Sequence, residues 1–352
     1  MDNLNNLYEK NQFNIKNKVD NLLEVKDLKK YFKTREKFNL KRYFKYGKKS
    51  LLDSKAVDGV SFNIKEGQIL GLVGESGCGK STTGKSILRL IEPTFGSVRF
   101  NGKTLFDVEN KIYMDKNELT YLRKDIQFIF QNPYASLNPR MKIERIVSEG
   151  IKKHNIVSKF EIKDKCQEIL SLCGLSKADL SKFPNEFSGG QRQRIVIARA
   201  LAVNPKFVVC DEPTAALDVS IQSQILNLML DLKDKFQLTY LFISHNLEVV
   251  RYVCDSICVM YLGKIVEKSK TQNLYSNPLH PYSRALISCI PKNHPSDKEE
   301  KIILKGSVPS SSNIPCGCRF NTRCPYKDKY CEIVEPELKE ILPGHFVACH
   351  KA

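Results

Sequence analysis

The chain has 352 residues, of which 41% are hydrophobic, a length that allows one full domain and a smaller one. It has no run of 18 apolar residues and begins without the apolar core of a signal peptide, so the sequence predicts an intracellular protein with no transmembrane helix. Its 12 cysteines are then expected to be thiols or metal ligands rather than disulfides, and its formal net charge of +17 raises the alternative of nucleic-acid binding.

Much of the excess positive charge lies near the start of the chain. Residues 1–20 are rich in asparagine and lysine, which predicts a flexible tail. A short apolar strand is predicted at Leu22–Val25, and residues 33–55 form a basic segment with scattered aromatic rings. We interpret that segment as a solvated loop, and contact with anionic lipid headgroups is the alternative.

A phosphate-binding loop is predicted at residues 74–81, between an apolar strand at 68–73 and a segment with helical spacing. Its glycines let backbone N–H groups turn onto a phosphate, and the helix N-terminus adds the positive end of its dipole. Lys80 would reach the outer phosphates of a nucleotide, and the Ser81 hydroxyl would bind Mg²⁺. The same dipole would lower the pKa of the Cys78 thiol. The predicted nucleotide contacts are Gly74, Glu75, Ser76, Gly77, Cys78, Gly79, Lys80, Ser81 and Thr82.

Further polar patterns follow, each after an apolar strand or at the start of a helix. They are Gln131 after the strand-like run 126–130; Ser188, Gly189, Gly190 and Gln191 before an amphipathic helix; Asp211, Glu212 and Asp218 after the strand 207–210; and His245 after the strand 239–243. A carboxylate at the end of a buried parallel strand can hold Mg²⁺ through water, as Asp211 would, and Glu212 would polarise an attacking water. Ser188 would cap the helix, and its glycine-rich start is a second anion site.

In this order and spacing, the motifs resemble the ATP-binding cassette (ABC) ATPases over residues 22–270. The resemblance implies an α/β fold in which an ABC-type P-loop ATPase domain combines a RecA-like core with a helical signature subdomain. It further implies that residues 188–191 close over ATP held by a partner's phosphate loop, so that the working unit is a dimer with two shared sites. The resemblance also implies that Asp218 contributes to nucleotide binding.

The same resemblance implies individual roles for several side chains. Glu212 would be the general base, His245 would contact the γ-phosphate, and Gln131 would reach Mg²⁺ or the attacking water. The magnesium ligands would be Ser81, Gln131 and Asp211. An aromatic ring at the end of the first strand would stack on adenine, and Tyr31 is favoured over Phe32 for this place.

Three stretches narrow the resemblance to the second ATPase subunit of the dipeptide and oligopeptide importers, and the third is the cysteine pattern of the tail. Residues 130–140 (FQNPYASLNPR) resemble the glutamine-loop region of that family, and residues 278–286 (PLHPYSRAL) resemble the start of its C-terminal extension. The resemblance implies a docking surface for a permease helix at 134–140, where the alternative is an ordinary surface turn. It divides the chain into a tail (1–20), an ATPase domain (21–270) and a small Cys-rich C-terminal extension (271–352).

The implied function is ATP hydrolysis that energises peptide import through a membrane transporter. The implied partners are a second ABC ATPase in a heterodimer, two transmembrane permeases and an extracytoplasmic substrate-binding protein, without nucleic acid. The chain would be peripheral, on the cytoplasmic face of the cell membrane. Import of another small solute, such as a metal chelate, and a soluble ATPase acting on nucleic acid or ribosomes are the alternatives. A single cassette without a long insertion disfavours the latter.

The C-terminal tail contains a cluster of cysteines, Cys318, Cys324, Cys331 and Cys349, with Cys316 and His350 as alternative ligands. Thiolates on a loop rich in proline and glycine can hold a [4Fe–4S] cluster or Zn²⁺, and their spacing does not separate the two. The short C-x₂-C pairs of zinc ribbons are absent. The family resemblance favours the [4Fe–4S] cluster, with Zn²⁺ or no metal as alternatives.

Overall fold

A computed structural model describes residues 21–33, 53–290 and 301–352. The predicted tail 1–20 and residues 34–52 of the basic segment lie outside these ranges. The strands are β1 (Asn21–Lys33), β2 (Asp53–Lys65), β3 (Ile69–Val73), β4 (Phe95–Phe100), β5 (Lys103–Asp107), β6 (Ile112–Tyr113), β7 (Ile126–Ile129), β8 (Phe207–Asp211), β9 (Thr239–Ser244), β10 (Ser256–Tyr261), β11 (Lys264–Lys270), β12 (Lys339–Leu342) and β13 (His345–Val347).

Helices connect these strands and cover the sheets. They are α1 (Lys80–Ile87), α2 (Lys116–Leu122), α3 (Pro133–Ser136), α4 (Ile143–Lys153), α5 (Ile162–Leu172), α6 (Gly189–Leu201), α7 (Val219–Phe236), α8 (Leu247–Val253), α9 (Thr271–Ser276), α10 (Pro281–Ser288) and α11 (Lys329–Ile333). In the part of the chain that the structure describes, no helix is both long enough and apolar enough to span a membrane.

The described strands form two sheets. The larger has the order β12-β13-β11-β10-β3-β9-β8-β7, and its pairs from β10 to β7 are parallel. Strands β3 and β8 are buried along their whole length, as expected where a parallel sheet is covered on both faces. The smaller sheet, β2-β1-β4-β5-β6, is antiparallel. The α/β fold predicted from the sequence is confirmed.

Parallel pairing brings the carboxyl ends of β3, β9, β8 and β7 to one edge of the larger sheet. The phosphate loop follows β3, and Glu212, His245 and Gln131 lie in the segments that follow β8, β9 and β7. Ligands of parallel α/β sheets bind at this edge, because the loops there converge. The topology therefore explains how residues far apart in sequence reach one site.

A helical region is inserted between β7 and β8. The predicted helices at 145–151 and 162–173 are present as α4 and α5, and they pack with α6 through apolar faces. Their buried residues belong to the core cluster that also contains parts of β8 and β9, and include Ile146, Val147, Ile169, Leu170, Ile195 and Val196. Burial of these side chains holds α6 in the core, with residues 188–191 at its more exposed start.

The C-terminal extension packs directly on the ATPase domain. Strand β13 pairs with β11, so the extension continues the larger sheet. Phe320 is buried between Tyr261 and Tyr282, with ring centroids 5.3 and 5.5 Å away. These aromatic contacts and the shared sheet fix the position of the extension relative to the phosphate loop.

Candidate functional site

The loop between β3 and α1 requires glycine at the places where its backbone turns. Gly74, Gly77 and Gly79 have φ values of 150°, 80° and 108°. A Cβ atom at Gly74 would overlap the carbonyl oxygen of Met260, and one at Gly79 would overlap that of Ala56. Both the left-handed backbone and the close approach of neighbouring strands therefore exclude side chains there.

Lys80 is buried inside the loop. Its ammonium group donates to the backbone oxygen of Gly74 at 2.7 Å and to that of Glu75 at 3.1 Å. Because both acceptors are neutral, the positive charge of Lys80 is not cancelled by an acidic partner and can act on an anion. This arrangement fits the predicted phosphate contact.

Ser81 and Asp211, both predicted to bind magnesium, are in direct contact. The Ser81 hydroxyl donates to Oδ1 of Asp211 at 2.7 Å, and the Asp211 carboxylate is buried at the end of β8. Burial raises the pKa of Asp211 above its usual value, and the Ser81 hydrogen bond opposes this shift. Hydroxyl and carboxylate oxygens are the ligands that Mg²⁺ prefers, so these side chains fit the ion.

Glu212 lies at the centre of a polar cluster. Gln131 Nε2 donates to Glu212 Oε2 at 2.8 Å, and His245 Nδ1 lies 3.0 Å from Oε1. The Glu212 backbone is left-handed, with φ of 48°, and its N–H donates to the Ile243 oxygen at 2.9 Å. A non-glycine residue in this region is strained, and such strain is typical of functional positions. The structure thus brings together the three side chains predicted to be catalytic.

The segment predicted to bind a partner's nucleotide begins α6. Ser188 and Gln191 form a capping box, in which Gln191 N–H donates to the Ser188 hydroxyl at 3.4 Å and Ser188 N–H donates to Gln191 Oε1 at 3.0 Å. Gly189 and Gly190 are partly exposed at the helix start. Among the described residues, no hydrogen bond joins this segment to the phosphate loop. Its role toward a partner stays a prediction.

Tyr31 and Asp218 also stay predictions. The Tyr31 ring is half-buried, lies 5.5 Å from the Lys55 ammonium, and donates its hydroxyl proton to Asp58. Burial raises the pKa of Tyr31, so the hydroxyl remains a donor. Phe32 is on the neighbouring position of the strand and is more exposed. Asp218 is exposed at the start of α7, where its side chain makes no capping bond.

The expectation of a lowered thiol pKa at Cys78 is wrong. The side chain is buried among apolar residues, and this burial raises its pKa despite the nearby Lys80 charge. Cys78 contributes to the loop through its backbone, since its carbonyl accepts from Gly263 N–H at 2.9 Å.

Contacts from the C-terminal extension to the phosphate loop could not be predicted from the sequence. Arg323 donates through both terminal nitrogens to the Glu75 carboxylate, at 2.8 and 3.2 Å, and the Tyr282 hydroxyl accepts from Glu75 N–H at 2.8 Å. Arg319 is buried and paired with Asp58, the partner of Tyr31. Tyr282 lies in the stretch 278–286, but no motif identifies the arginines.

The predicted cysteine ligands are near neighbours in the extension. Cys318 N–H donates to the Cys331 oxygen at 2.8 Å. The pKa of the Cys318 thiol is raised to about 11, mainly by burial, with smaller contributions from the nearby Cys349, Cys331 and Cys324. In the described residues, however, no group of three or more His, Cys, Asp or Glu side chains is arranged as a metal site. The residue types fit thiolate-bound metals, and their positions are not those of ligands around an ion.

Comparison with protein families gives two matches. A family described as "ABC transporter" matches residues 57–215, and one described as "Oligopeptide/dipeptide transporter, C-terminal region" matches residues 266–331. The first range contains the phosphate loop, Gln131, residues 188–191 and Glu212. The second contains Tyr282, Arg319 and Arg323.

Several curated proteins are similar over almost their whole length. The "Oligopeptide transport ATP-binding protein AppF" of Bacillus subtilis is 48% identical over 334 residues, which are 94% of this chain and 97% of that protein. The "Di/tripeptide transport ATP-binding protein DppF" of Pseudomonas aeruginosa is 46% identical over 298 residues, 85% of this chain and 90% of that protein.

Solved structures are similar in fold. The ATP-binding cassette MJ0796, in a dimeric post-hydrolysis state bound to ADP and phosphate, is 30% identical with a TM-score of 0.59. That match covers 71% of this chain and 98% of MJ0796. CbiO1 from Clostridium perfringens has the same TM-score at 24% identity, covering 73% of this chain and 92% of CbiO1, and shows the fold alone.

Proposed function

The chain belongs to the ABC transporter ATPases, within the ATP-binding proteins of oligopeptide and dipeptide transport, and we propose that it hydrolyses ATP to drive peptide import through a membrane transporter. The observation that carries this function is the convergence of Lys80, the Ser81–Asp211 pair and the Glu212 cluster at one edge of the larger sheet. Phosphate binding, metal binding and proton acceptance are thereby adjacent.

Hydrolysis follows from the positions of these side chains. Loop N–H groups and Lys80 bind the outer phosphates, and the Tyr31 ring stacks on the base. Ser81, Asp211 and Gln131 would hold Mg²⁺, which would neutralise charge on the phosphate oxygens. Glu212 would accept a proton from the attacking water, and His245, which contacts the Glu212 carboxylate, would also contact the γ-phosphate. The contacts of Gln131 and His245 hold the Glu212 carboxylate at this edge of the sheet, where it would accept that proton.

Completion of the site requires a second ATPase domain. Residues 188–191 lie apart from their own phosphate loop, and their glycine-rich helix start can receive the phosphates bound by a partner. Asp218 is exposed, and we propose that it also contacts the shared site. We propose a heterodimer with a different ABC ATPase, in which binding of ATP closes both shared sites. Closure then produces the mechanical step of transport.

Permeases and a substrate-binding protein are the remaining partners of a peptide importer ATPase, and they attach the chain to the membrane as a peripheral subunit. We place it on the cytoplasmic face, where ATP is available. The loop 134–140 is the proposed docking surface. Arg199 of α6 donates to the Ser136 oxygen at 2.6 Å, and the Arg192 guanidinium lies 4.3 Å from the centre of the Tyr134 ring. A permease helix that moves this loop therefore acts on α6 as well.

The cysteines of the extension support a second, separate proposal. Burial raises the pKa values of the Cys318, Cys324 and Cys349 thiols, and each of these lies close enough to Cys331 for that residue to add to the shift. We propose that these four cysteines hold a [4Fe–4S] cluster, with Zn²⁺ as the alternative, and that the bound metal stabilises the small Cys-rich region. Binding would require loss of the thiol protons and a local rearrangement that brings the sulfur atoms to ligand distance.

Peptide import is tested by purifying the tagged chain from detergent-solubilised native membranes and reconstituting the complex in vesicles. Two multi-spanning permeases and a second cassette protein are expected to co-purify, and the vesicles should take up peptide only with ATP and Mg²⁺. Recovery of RNA or ribosomes in place of permeases would contradict the proposal. The same complex carrying Glu212→Gln is the control for uptake that depends on hydrolysis at this site.

A further inference from the structure

Glu75 is the only acidic residue of the phosphate loop at 74–81. It forms an ion pair with Arg323, which lies near the far end of the chain. Arg323 contacts both oxygens of Glu75, at 2.8 and 3.2 Å, from a position 248 residues further along the sequence. The Arg323 side chain is 8% exposed and that of Glu75 is 28% exposed. A two-pronged contact by a largely buried guanidinium fixes the direction of the carboxylate as well as its charge.

The backbone of Glu75 is part of the phosphate site itself. Its carbonyl accepts from the Lys80 ammonium at 3.1 Å, and its N–H donates to the Tyr282 hydroxyl at 2.8 Å. Tyr282 and Arg323 belong to one packed group of side chains. Phe320 packs against both Tyr282 and Tyr261, and the Arg323 guanidinium lies 6.0 Å from the centre of the Tyr261 ring. The extension therefore holds both the main chain and the side chain of one residue in the loop.

A second arginine of the extension is linked to Tyr31, the predicted adenine contact. Arg319 pairs with Asp58, and Asp58 accepts the hydroxyl proton of Tyr31. The Arg319 Nε atom is also 3.0 Å from Glu335 Oε1, which limits rotation of the guanidinium. Arg319 follows Cys318 and Arg323 precedes Cys324, so both arginines belong to the cysteine region.

We propose that Arg323 is a positioning residue of the nucleotide site, which acts through Glu75 to keep the phosphate loop receptive to ATP. This inference rests on the proposed binding of ATP to residues 74–82. Without Arg323, the Glu75 carboxylate would be an unpaired negative charge beside the place where the phosphates bind. Repulsion between that charge and the phosphates would weaken ATP binding, although no group that acts on the reacting atoms has changed.

The test is a double-mutant cycle in the full chain, with the dissociation constant of Mg²⁺-ATP measured by isothermal titration and hydrolysis measured in the reconstituted complex. Arg323→Gln is expected to raise the dissociation constant about tenfold, as one unpaired charged hydrogen-bonding group would. Hydrolysis at saturating ATP should stay within about twofold, so KM rises while kcat does not. Glu75→Gln should bind ATP at least as tightly as the wild type, because it leaves the positive charge of Arg323 unpaired near the phosphate loop.

The double variant distinguishes positioning from simple loss of structure. With Arg323→Gln and Glu75→Gln together, the dissociation constant should return to within about twofold of the wild-type value, since neither charge remains unbalanced. Lys327→Gln is the matched control, because Lys327 also pairs with a carboxylate of the extension, Glu332 at 2.8 Å, away from the loop. It should leave ATP binding unchanged.

Other outcomes would overturn the inference. Wild-type affinity in Arg323→Gln, or a double variant as weak as Arg323→Gln alone, would show that the ion pair does not position the loop. If Arg323→Gln does not fold, Arg323→Lys is measured in its place. It keeps the charge without the two-pronged contact and should weaken ATP binding several-fold, and wild-type affinity would again contradict the inference. Failure of the wild-type chain itself to bind ATP would contradict the proposed function.

Discussion

His245 Nδ1 lies 3.0 Å from Oε1 of Glu212, so the segments that follow β9 and β8 meet at one carboxylate. Gln131, which follows β7, occupies the other oxygen. Both oxygens of the proposed base therefore have a side-chain partner. A carboxylate held in this way is oriented before the nucleotide enters, which reduces the rearrangement needed during hydrolysis.

Replacing Glu212 by glutamine should abolish most hydrolysis while ATP remains bound. An amide keeps the size of the side chain but cannot accept the proton of the attacking water, and loss of a general base lowers rates by about 10²–10⁴-fold. We expect single-turnover hydrolysis to fall by this factor and the closed dimer to accumulate in gel filtration. Glu248→Gln, at an exposed position in α8, is the control. Hydrolysis of Glu212→Gln at the wild-type rate would refute the assignment of the base.

Gly189 and Gly190 should respond differently to alanine, although they are adjacent. A Cβ at Gly189 would have ordinary van der Waals contacts, 3.5 Å from the Tyr134 hydroxyl, whereas one at Gly190 would lie 2.6 Å from Ile221. Gly190→Ala should therefore cost about 1–3 kcal/mol of folding free energy, and Gly189→Ala should cost none. Thermal unfolding measures this difference.

Hydrolysis by the complete complex tests whether residues 188–191 close over a partner's ATP. In Gly189→Ala, the added methyl group lies at the helix start proposed to receive the partner's phosphates, so steady-state hydrolysis should fall with the melting temperature unchanged. Unchanged hydrolysis in this variant would show that residues 188–191 do not close over the partner's ATP.

Tyr134 should matter for transport more than for hydrolysis. Its ring is 55% exposed and packs on Arg192, which joins the proposed docking loop to α6. Loss of a cation–π contact worth about 1 kcal/mol should lower ATP-driven peptide uptake about threefold to fivefold in Tyr134→Ala, with basal ATP hydrolysis by the complex unchanged. Replacing residues 134–140 by a neutral linker should enlarge the same difference.

Tyr121→Ala is the control for Tyr134→Ala, because Tyr121 is another exposed ring with a cation, Lys124, 4.0 Å from its centre. It should leave uptake unchanged. Equal losses of uptake and hydrolysis in Tyr134→Ala would indicate a damaged ATPase rather than a lost connection to the permeases.

The sequence predicted the residues of the site that follow short apolar strands. Asp211, Glu212, His245 and Gln131 could be placed together because parallel strands bring their carboxyl ends to one edge. Strand lengths were harder to predict from the sequence. The strand predicted at 22–25 extends over Asn21–Lys33, because pairing with β2 and β4 orders residues that have no apolar pattern. Local periodicity does not report such pairing.

Long-range contacts and burial account for what the sequence did not reveal. The Arg323–Glu75 pair depends on how the extension packs against β10 and β11, and a single arginine has no motif that names its partner. At Cys78 two opposing effects were present, the helix dipole and burial, and only the structure shows that burial is the larger.

Metal analysis of the extension should identify what the cysteines bind. The full chain purified without oxygen is expected to contain about four iron atoms and about four acid-labile sulfides. Cys318→Ser should lose most of both, whereas Cys289→Ser, at an exposed cysteine outside the cluster, should retain them. Stoichiometric zinc without sulfide would support the alternative, and a wild-type chain without metal would contradict both.

His280 should make the stability of the chain depend on pH. The imidazole is buried, its Nδ1 accepts from Tyr282 N–H at 3.0 Å, and burial together with the Arg284 charge lowers its pKa to about 3. Because an unfolded histidine has a pKa near 6.5, the unfolded state takes up a proton first as the pH falls. The stability associated with neutral His280 is complete above about pH 6.5 and is lost progressively below it, by about 1.4 kcal/mol per pH unit.

His280→Asn keeps a side-chain acceptor at the start of α10 and removes the titration. Urea unfolding should show that wild type loses about 2 kcal/mol more than the variant between pH 7.5 and pH 5, while the two proteins change in parallel above pH 7.5. Equal losses at pH 5 would mean that His280 takes up a proton in the folded chain as readily as in the unfolded one.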